Sequence, residues 1–239
     1  MHYRSTVKLI RTHLKNRILV QDRGGAEFQT GGILVYVEDL KRGTNKDIGP
    51  KDIFEMGSKK KGERMPFDLD AFEPAYKKWV AESLTDYRAG NMKEIIKKYP
   101  FVAPDDIPWT AYNGQPSDQT FAVATTGGLY LKDSQPPFDT ESIHGDVSYR
   151  EIPKTVRQED FGIAHKHYDH SLTEQDFNII FPIQRFVELD AEGIIGKLID
   201  THYSFSYVND AVSLVTETVP KFISRIKAAG VDVLFLVPV

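Results

Sequence analysis

Runs of apolar residues and the breaks between them are most legible in the second half of the chain. Phe121-Ala122-Val123-Ala124 is a continuous apolar run of strand length that opens into Thr125-Thr126-Gly127-Gly128, a strand-to-loop transition. Phe177-Asn178-Ile179-Ile180-Phe181 predicts a second strand. Pro182 then opens a helix to about Glu192, with Ile183, Phe186, Val187 and Leu189 turned inward and Gly193 as its stop. Tyr203 to Val208 predicts a third extended piece. Asp210 is placed to cap a long helix in which Val212, Val215, Val219, Phe222 and Ile226 recur at three- and four-residue spacing. Pro220 is expected to kink this helix, Gly230 to end it, and Val231 to Val237 to form the next strand. Strands that are apolar throughout, alternating with helices, predict an α/β fold: an open, mostly parallel sheet with helices on both faces.

The first half is less regular. Ile33 to Val37 reads as a strand, followed by a polar stretch from Lys41 to Arg64 that contains Lys59-Lys60-Lys61 and reads as a solvated loop. Two helices are expected at about Asp70–Tyr87 and Asn91–Tyr99. Pro100, Pro104, Pro108 and Pro116, with Trp109 among them, punctuate a connector that ends near Asp118. The expected division is an α+β N-terminal extension over 1–118 and an α/β domain over 119–239. No internal repeat is visible.

Composition narrows the class. A chain of 239 residues can bury a sizeable core, as one large domain or a domain with an extension. A net charge of −4 argues against a general nucleic-acid binder, which usually shows a strongly basic face. No apolar run approaches the roughly 18–20 residues that span a bilayer, so no membrane association is expected and a cytoplasmic location is the default. His2 to Val20 carries Arg4, Lys8, Arg11, Lys15 and Arg17 without an acid; it lacks the apolar core and cleavage site of a presequence and reads as a basic amphipathic helix. The absence of cysteine rules out disulfides, thiolate catalysis and cysteine-held zinc or iron–sulfur centres within these residues.

Candidate chemistry gathers where histidine does. Of the seven histidines, His144, His165, His167, His170 and His202 lie in the second half, densest in His165-Lys166-His167-Tyr168-Asp169-His170. His-x-His on a strand end turns both imidazoles to one side, and His165, His167 and His170, with Asp169 or His202, form a weak metal-ligand set. The alternatives are a polar loop with structural histidines, or acid–base groups, since an ordinary imidazole titrates near neutrality. Thr125-Thr126-Gly127-Gly128 can present amides to a carboxylate or phosphate, or be a simple tight turn; it matches neither a Walker loop nor the dinucleotide glycine pattern. Asp146 and Arg150 in Gly145-Asp146-Val147-Ser148-Tyr149-Arg150 offer an acid and a guanidinium for a substrate carboxylate, or an internal salt bridge. No Gly-x-Ser-x-Gly elbow supports a serine hydrolase.

Several of these motifs occur in one order: Thr125–Gly128, Gly145 to Pro153, His165 with Tyr168-Asp169, Asp176 to Arg185, His202-Tyr203-Ser204-Phe205, and Gly230-Val231-Asp232. In that order they resemble the selenoprotein B family of glycine, sarcosine and betaine reductases and the selenocysteine subunit of D-proline reductase, over about residues 119–239. The resemblance implies a selenol- or thiol-dependent oxidoreductase subunit of anaerobic amino-acid metabolism. Its nucleophile attacks a substrate held on a pyruvoyl group of a partner subunit, and a C–N bond is cleaved reductively. In the family the strand matching Val231–Val239 leads into selenocysteine or cysteine. The resemblance therefore implies a chain truncated just before its nucleophile, through a UGA codon read as stop or by design. For the residues present it implies supporting roles. Thr125, Thr126, Gly127, Gly128, Asp146, Arg150 and Tyr168 would hold the substrate, while His165, Asp169 and His202 would orient it or move protons. No cofactor is expected in the chain itself. The expected partners are a small amine or carboxylate substrate and other subunits or further copies of the chain. Two alternatives stand beside this reading: a redox-inactive carboxylate-binding or scaffold subunit on the same α/β frame, and a histidine-based metal enzyme.

Overall fold

A strand that is apolar on both faces needs cover on both sides, and one such strand organises this molecule. The structure, a computed structural model, describes residues 33–36, 69–101 and 114–239. In chain order the elements are strand β1 (Ile33–Tyr36), helices α1 (Leu69–Arg88) and α2 (Met92–Lys98), and strands β2 (Thr120–Thr125), β3 (Leu129–Leu131), β4 (Arg150–Pro153) and β5 (Phe161–Ile163). Helix α3 (Ile183–Ala191), strands β6 (Lys197–Leu198) and β7 (Thr201–Ser204), helices α4 (Ala211–Ser213) and α5 (Val219–Ala228), and strand β8 (Val233–Val237) follow. The expectations over His2–Val20 and Lys41–Arg64, and at Pro104, Pro108 and Trp109, lie outside the described residues.

The main sheet runs β1-β8-β2-β7-β4, with β6 also on β2. Strands β6, β7 and β8 are parallel to β2, while β1 on β8 and β4 on β7 are antiparallel edges. Strands β3 and β5 form a separate antiparallel pair. The expected α/β fold with a mostly parallel sheet is what the chain adopts. Period-two alternation divides β2 between two cores. Phe121 and Val123 join Ile183, Phe186 and Leu189 of α3 on one face, whereas Ala122 and Ala124 join Phe222 and Ile226 of α5 on the other. Each large side chain so buried contributes about 1.5–3 kcal/mol. Helix α5 stops as its sequence requires: Gly230 follows with φ +69° and the strand begins three residues later.

Three expectations change. Phe177–Phe181 is not a strand: Phe177–Ile179 is a 3-10 turn capped by Asp176, whose Oδ1 accepts from the Asn178 backbone N–H and from Asn178 Nδ2. Asn178 in turn ties to Gln184 through two hydrogen bonds, so local side chains outcompete a ladder and Phe177, Ile180 and Phe181 enter the core from a turn. The extended piece expected over Tyr203–Val208 is the strand Thr201–Ser204, with only an isolated bridge between Val208 and Gly145 further on. The long helix begins at Asp210, which accepts from Ser213 N as expected, then passes through a π turn over Leu214–Thr218 before α5. Pro220 has no N–H for the Thr216 carbonyl, and the extra residue of a π turn accommodates that gap.

Helices α1 and α2 form a third apolar cluster, Phe72, Tyr76, Trp79 and Ile95, closed by Ile143. Tyr76 shares a 2.7 Å hydrogen bond with His144 Nδ1, and Tyr99 donates to the Asn209 carbonyl at 2.9 Å. The helical pair thereby props the two loops that leave the carboxyl side of the sheet. Among the described residues no helix is long and apolar enough to cross a membrane.

Candidate functional site at the carboxyl edge of the sheet

Parallel strands β2, β7 and β8 end together, so Thr125, Ser204 and Val237 lie at one edge, where open α/β sheets bind ligands. The loop that follows β2 is held from every side. Thr126 N donates to the Val237 carbonyl at 3.1 Å and its Oγ1 accepts from Val239 N at 2.9 Å, a two-point clamp on the tip of β8. Gly127 N donates to Thr125 Oγ1 at 3.1 Å, and Gly128 N donates to the Phe205 carbonyl at 2.8 Å. All three amides are therefore engaged within the protein, and the loop is a tight turn with no amide left over for an anion. Gly128 has φ +70°, and a Cβ there would collide with the Ala164 carbonyl oxygen and lie 2.8 Å from His165 Cβ. Only glycine lets the β2 loop lie this close to the segment after β5.

That segment carries the histidines. Ala164 is pinned by its N–H to the Gly128 carbonyl and by Ser206 Oγ, which donates to the Ala164 carbonyl. His165 follows, 5% exposed, with its ring 5.0 Å from Tyr168, 5.5 Å from His167 and 5.7 Å from Tyr207. Its Nδ1 accepts from the His167 backbone N–H at 3.2 Å, and its carbonyl accepts from His170 Nε2 at 2.6 Å. Burial, with His167 and His170 close by, lowers its pKa to about 4, so it is neutral at pH 7. His167 packs edge-on against Tyr207 at 4.2 Å, and burial and the Lys166 charge lower its pKa as well. Tyr168 donates its hydroxyl to the Gly127 carbonyl at 2.9 Å, and burial raises that phenol to about 12. His165, His167, Tyr168, Gly127, Gly128 and Thr126 thus form one cluster.

The remaining sequence candidates are arranged differently. Arg150 lies opposite Ser204 on β4, near the same edge, but its guanidinium is already engaged within the protein. Nε donates to the Pro136 carbonyl, Nη1 to Ser148 Oγ and the Tyr149 carbonyl, and Nη2 to the Pro137 carbonyl with Asp146 at 3.7 Å. The guanidinium also stacks over Phe138 at 4.1 Å. Asp146 accepts from Ser148 and from Asp139 N; burial opposes its charge, yet these bonds and Arg150 hold its carboxyl below the usual range. The internal pair, one of the two sequence alternatives, is the arrangement seen, and it shapes the loop over 136–148. Asp169 is exposed and closes a turn by accepting from Ser171 N.

His202 is sealed inside the sheet. Strand β6 pairs with Thr120 and Phe121 and β7 with Ala124 and Thr125, leaving a gap beside Val123. The His202 ring fills the gap: Nδ1 accepts from Val123 N at 3.1 Å, and Nε2 faces the Ile199 backbone without a well-formed hydrogen bond. Burial depresses its pKa to about 3. It sits among backbone groups rather than in the cluster at the edge. As for a metal, no three of His, Cys, Asp and Glu among the described residues converge on a point that could hold one.

Sequence reasoning missed Tyr207. Its ring lines both His165 and His167, and its hydroxyl lies beside Tyr87 and within hydrogen-bond reach of the Thr140 and Ser142 carbonyls. Its position just beyond Phe205 is the only signal that the sequence offered, since nothing in the local pattern marks an aromatic that reaches across loops.

Residues 91–238 match the profile of the glycine/sarcosine/betaine reductase selenoprotein B family. A subunit gamma of glycine reductase complex component B from Carboxydothermus hydrogenoformans is 29% identical over 146 residues, 60% of this chain and 33% of that protein. The protein of the same description from Peptoclostridium litorale is 25% identical over 146 residues, with the same coverage. The chain thus spans about a third of the length of these relatives. No solved structure matches it significantly.

Proposed function

Because the chain belongs to the glycine/sarcosine/betaine reductase selenoprotein B family, we propose that it supplies the substrate-holding α/β frame of a reductase subunit that cleaves a C–N bond of a small amino acid or betaine. The observation that carries this reading is the clustering of the family-like motifs Thr125–Gly128 and His165–Tyr168 around the carboxyl ends of β2, β7 and β8. The redox nucleophile in this reading is a selenol or thiol, which these 239 residues do not contain, acting at the carboxyl edge by the clamped tip of β8, beside Thr126. A selenolate or thiolate there is the attacking species, because the anion and not the protonated group is the nucleophile. The pyruvoyl group belongs to a partner subunit in this reading, as do the electrons delivered from a dithiol. Asp146 and Arg150 act as struts of the loop over 136–148, and His202 as a filler of the sheet.

The test is dithiol-dependent release of amine from glycine, sarcosine or betaine, with a pyruvoyl-bearing partner subunit present. The chain extended by one cysteine after Val239 is expected to release amine, and the chain as it stands is not. Equal release by both would remove the nucleophile from the β8 tip. Release by neither, with ligand binding retained, would favour the redox-inactive binding subunit instead.

A further inference from the structure

The hydrogen bonds around His165 fix more than its position. A backbone amide has one proton and nowhere to send it, so the His167 N–H requires a lone pair on His165 Nδ1. The single proton of the neutral ring therefore sits on Nε2, and a second proton on Nδ1 would break the bond. The backbone gives the ring no room to escape. Ala164 is held from both sides, the His165 carbonyl takes His170 Nε2, and the Gly128 turn packs beside His165 so closely that a side chain there would meet His165 Cβ. The groups that face the ring are Tyr168, His167, Tyr207 and, through the carbonyl, His170; the neighbouring Lys166 turns away to Glu141. Among the described residues Nε2 has no hydrogen-bond partner, and the ring as a whole is buried.

We infer that His165 is a tautomer-locked hydrogen-bond donor, whose Nε2–H recognises a carboxylate or carbonyl oxygen of a small molecule, and that it is not a proton shuttle. This rests on the reading that the carboxyl edge holds the substrate. An ammonium finds no lone pair at this nitrogen, whereas a carboxylate gains a charge-assisted bond. The burial that disfavours an imidazolium acts in the same direction.

Nitrogen-15 NMR of histidine-labelled protein tests this without any reductase activity. His165 is expected to show a pyridine-type Nδ1 and a pyrrole-type Nε2, unchanged from about pH 8 down to about pH 5. Added acetate is expected to shift the Nε2–H signal, and tetramethylammonium is not. In His165→Gln, which keeps an N–H donor at similar reach, acetate binding is expected to persist, and in His165→Ala to be lost. A proton found on Nδ1, titration of the ring near neutrality, or an Nε2–H signal indifferent to acetate would each overturn the assignment. Failure of the amine-release assay would not alter this result, so the two readings fail separately.

Discussion

Gly128→Ala is expected to be among the most damaging single substitutions in this chain, costing about 3 kcal/mol or more. Two effects combine. The left-handed backbone at φ +70° penalises any Cβ by roughly 1–2 kcal/mol. The added carbon would also collide with the Ala164 carbonyl oxygen, so the β2 loop and the His165 segment must part. Gly230 separates the two contributions. It has nearly the same backbone, φ +69°, but nothing lies within 4 Å of where its methyl would point, so Gly230→Ala is expected to show only the conformational penalty. Denaturant unfolding of both variants measures the difference. Equal losses would mean that the close approach at Gly128 is not tight.

The second large effect lies at His202. His202→Ala removes the acceptor of a buried strand amide and opens a cavity in the central sheet, with an expected loss of about 3–5 kcal/mol. His202→Asn returns an acceptor near the Nδ1 position and is expected to recover part of it. The same burial makes the fold sensitive to acid. His202 is neutral when folded, with a pKa depressed from 6.5 to about 3, so the unfolded chain takes up a proton more readily. Its stabilising contribution is complete above pH 6.5 and declines as the pH falls towards 3. The decline is at most about 1.4 kcal/mol per pH unit. His165 acts in the same direction between 6.5 and about 4. Unfolding midpoints measured across this range should fall more steeply in the wild type than in His202→Asn. Parallel curves would show that His202 is not the buried neutral group described.

How much of this the sequence disclosed follows from the range of the interactions involved. Phe121–Ala124, the Pro182 helix, the Asp210 cap and the Gly230 stop are local patterns, and each element appears where the pattern put it, although Val187, expected to face inward on the Pro182 helix, is exposed. Phe177–Phe181 misled because a short apolar run suits a strand or a buried turn equally; Asp176 and Asn178 decided in favour of the turn. The motif residues Gly127, Gly128, His165 and Tyr168 do meet in space. Their roles were not legible, because a role depends on which hydrogen-bonding groups are already occupied. Arg150 could be read as a guanidinium free for a substrate or as half of an internal pair with Asp146, and the sequence could not choose; it is engaged by three carbonyls, Ser148 and Asp146. His202 read as a member of the site, but an imidazole that completes a gap between two short strands has no sequence signature. Tyr207 and the props from Tyr76 and Tyr99 join segments far apart in the chain, beyond the reach of any periodicity.

The central claim is that small carboxylate substrates sit at the carboxyl edge of the sheet, against His165 and the Gly128 turn. Backbone amide shifts of labelled protein titrated with glycine, sarcosine and betaine test it most directly. The expected result is perturbation concentrated at Thr126–Gly128, His165–Tyr168 and Tyr207, abolished in His165→Ala. Perturbation confined to α1 and α2, or to the outer edge strand β1, would contradict it.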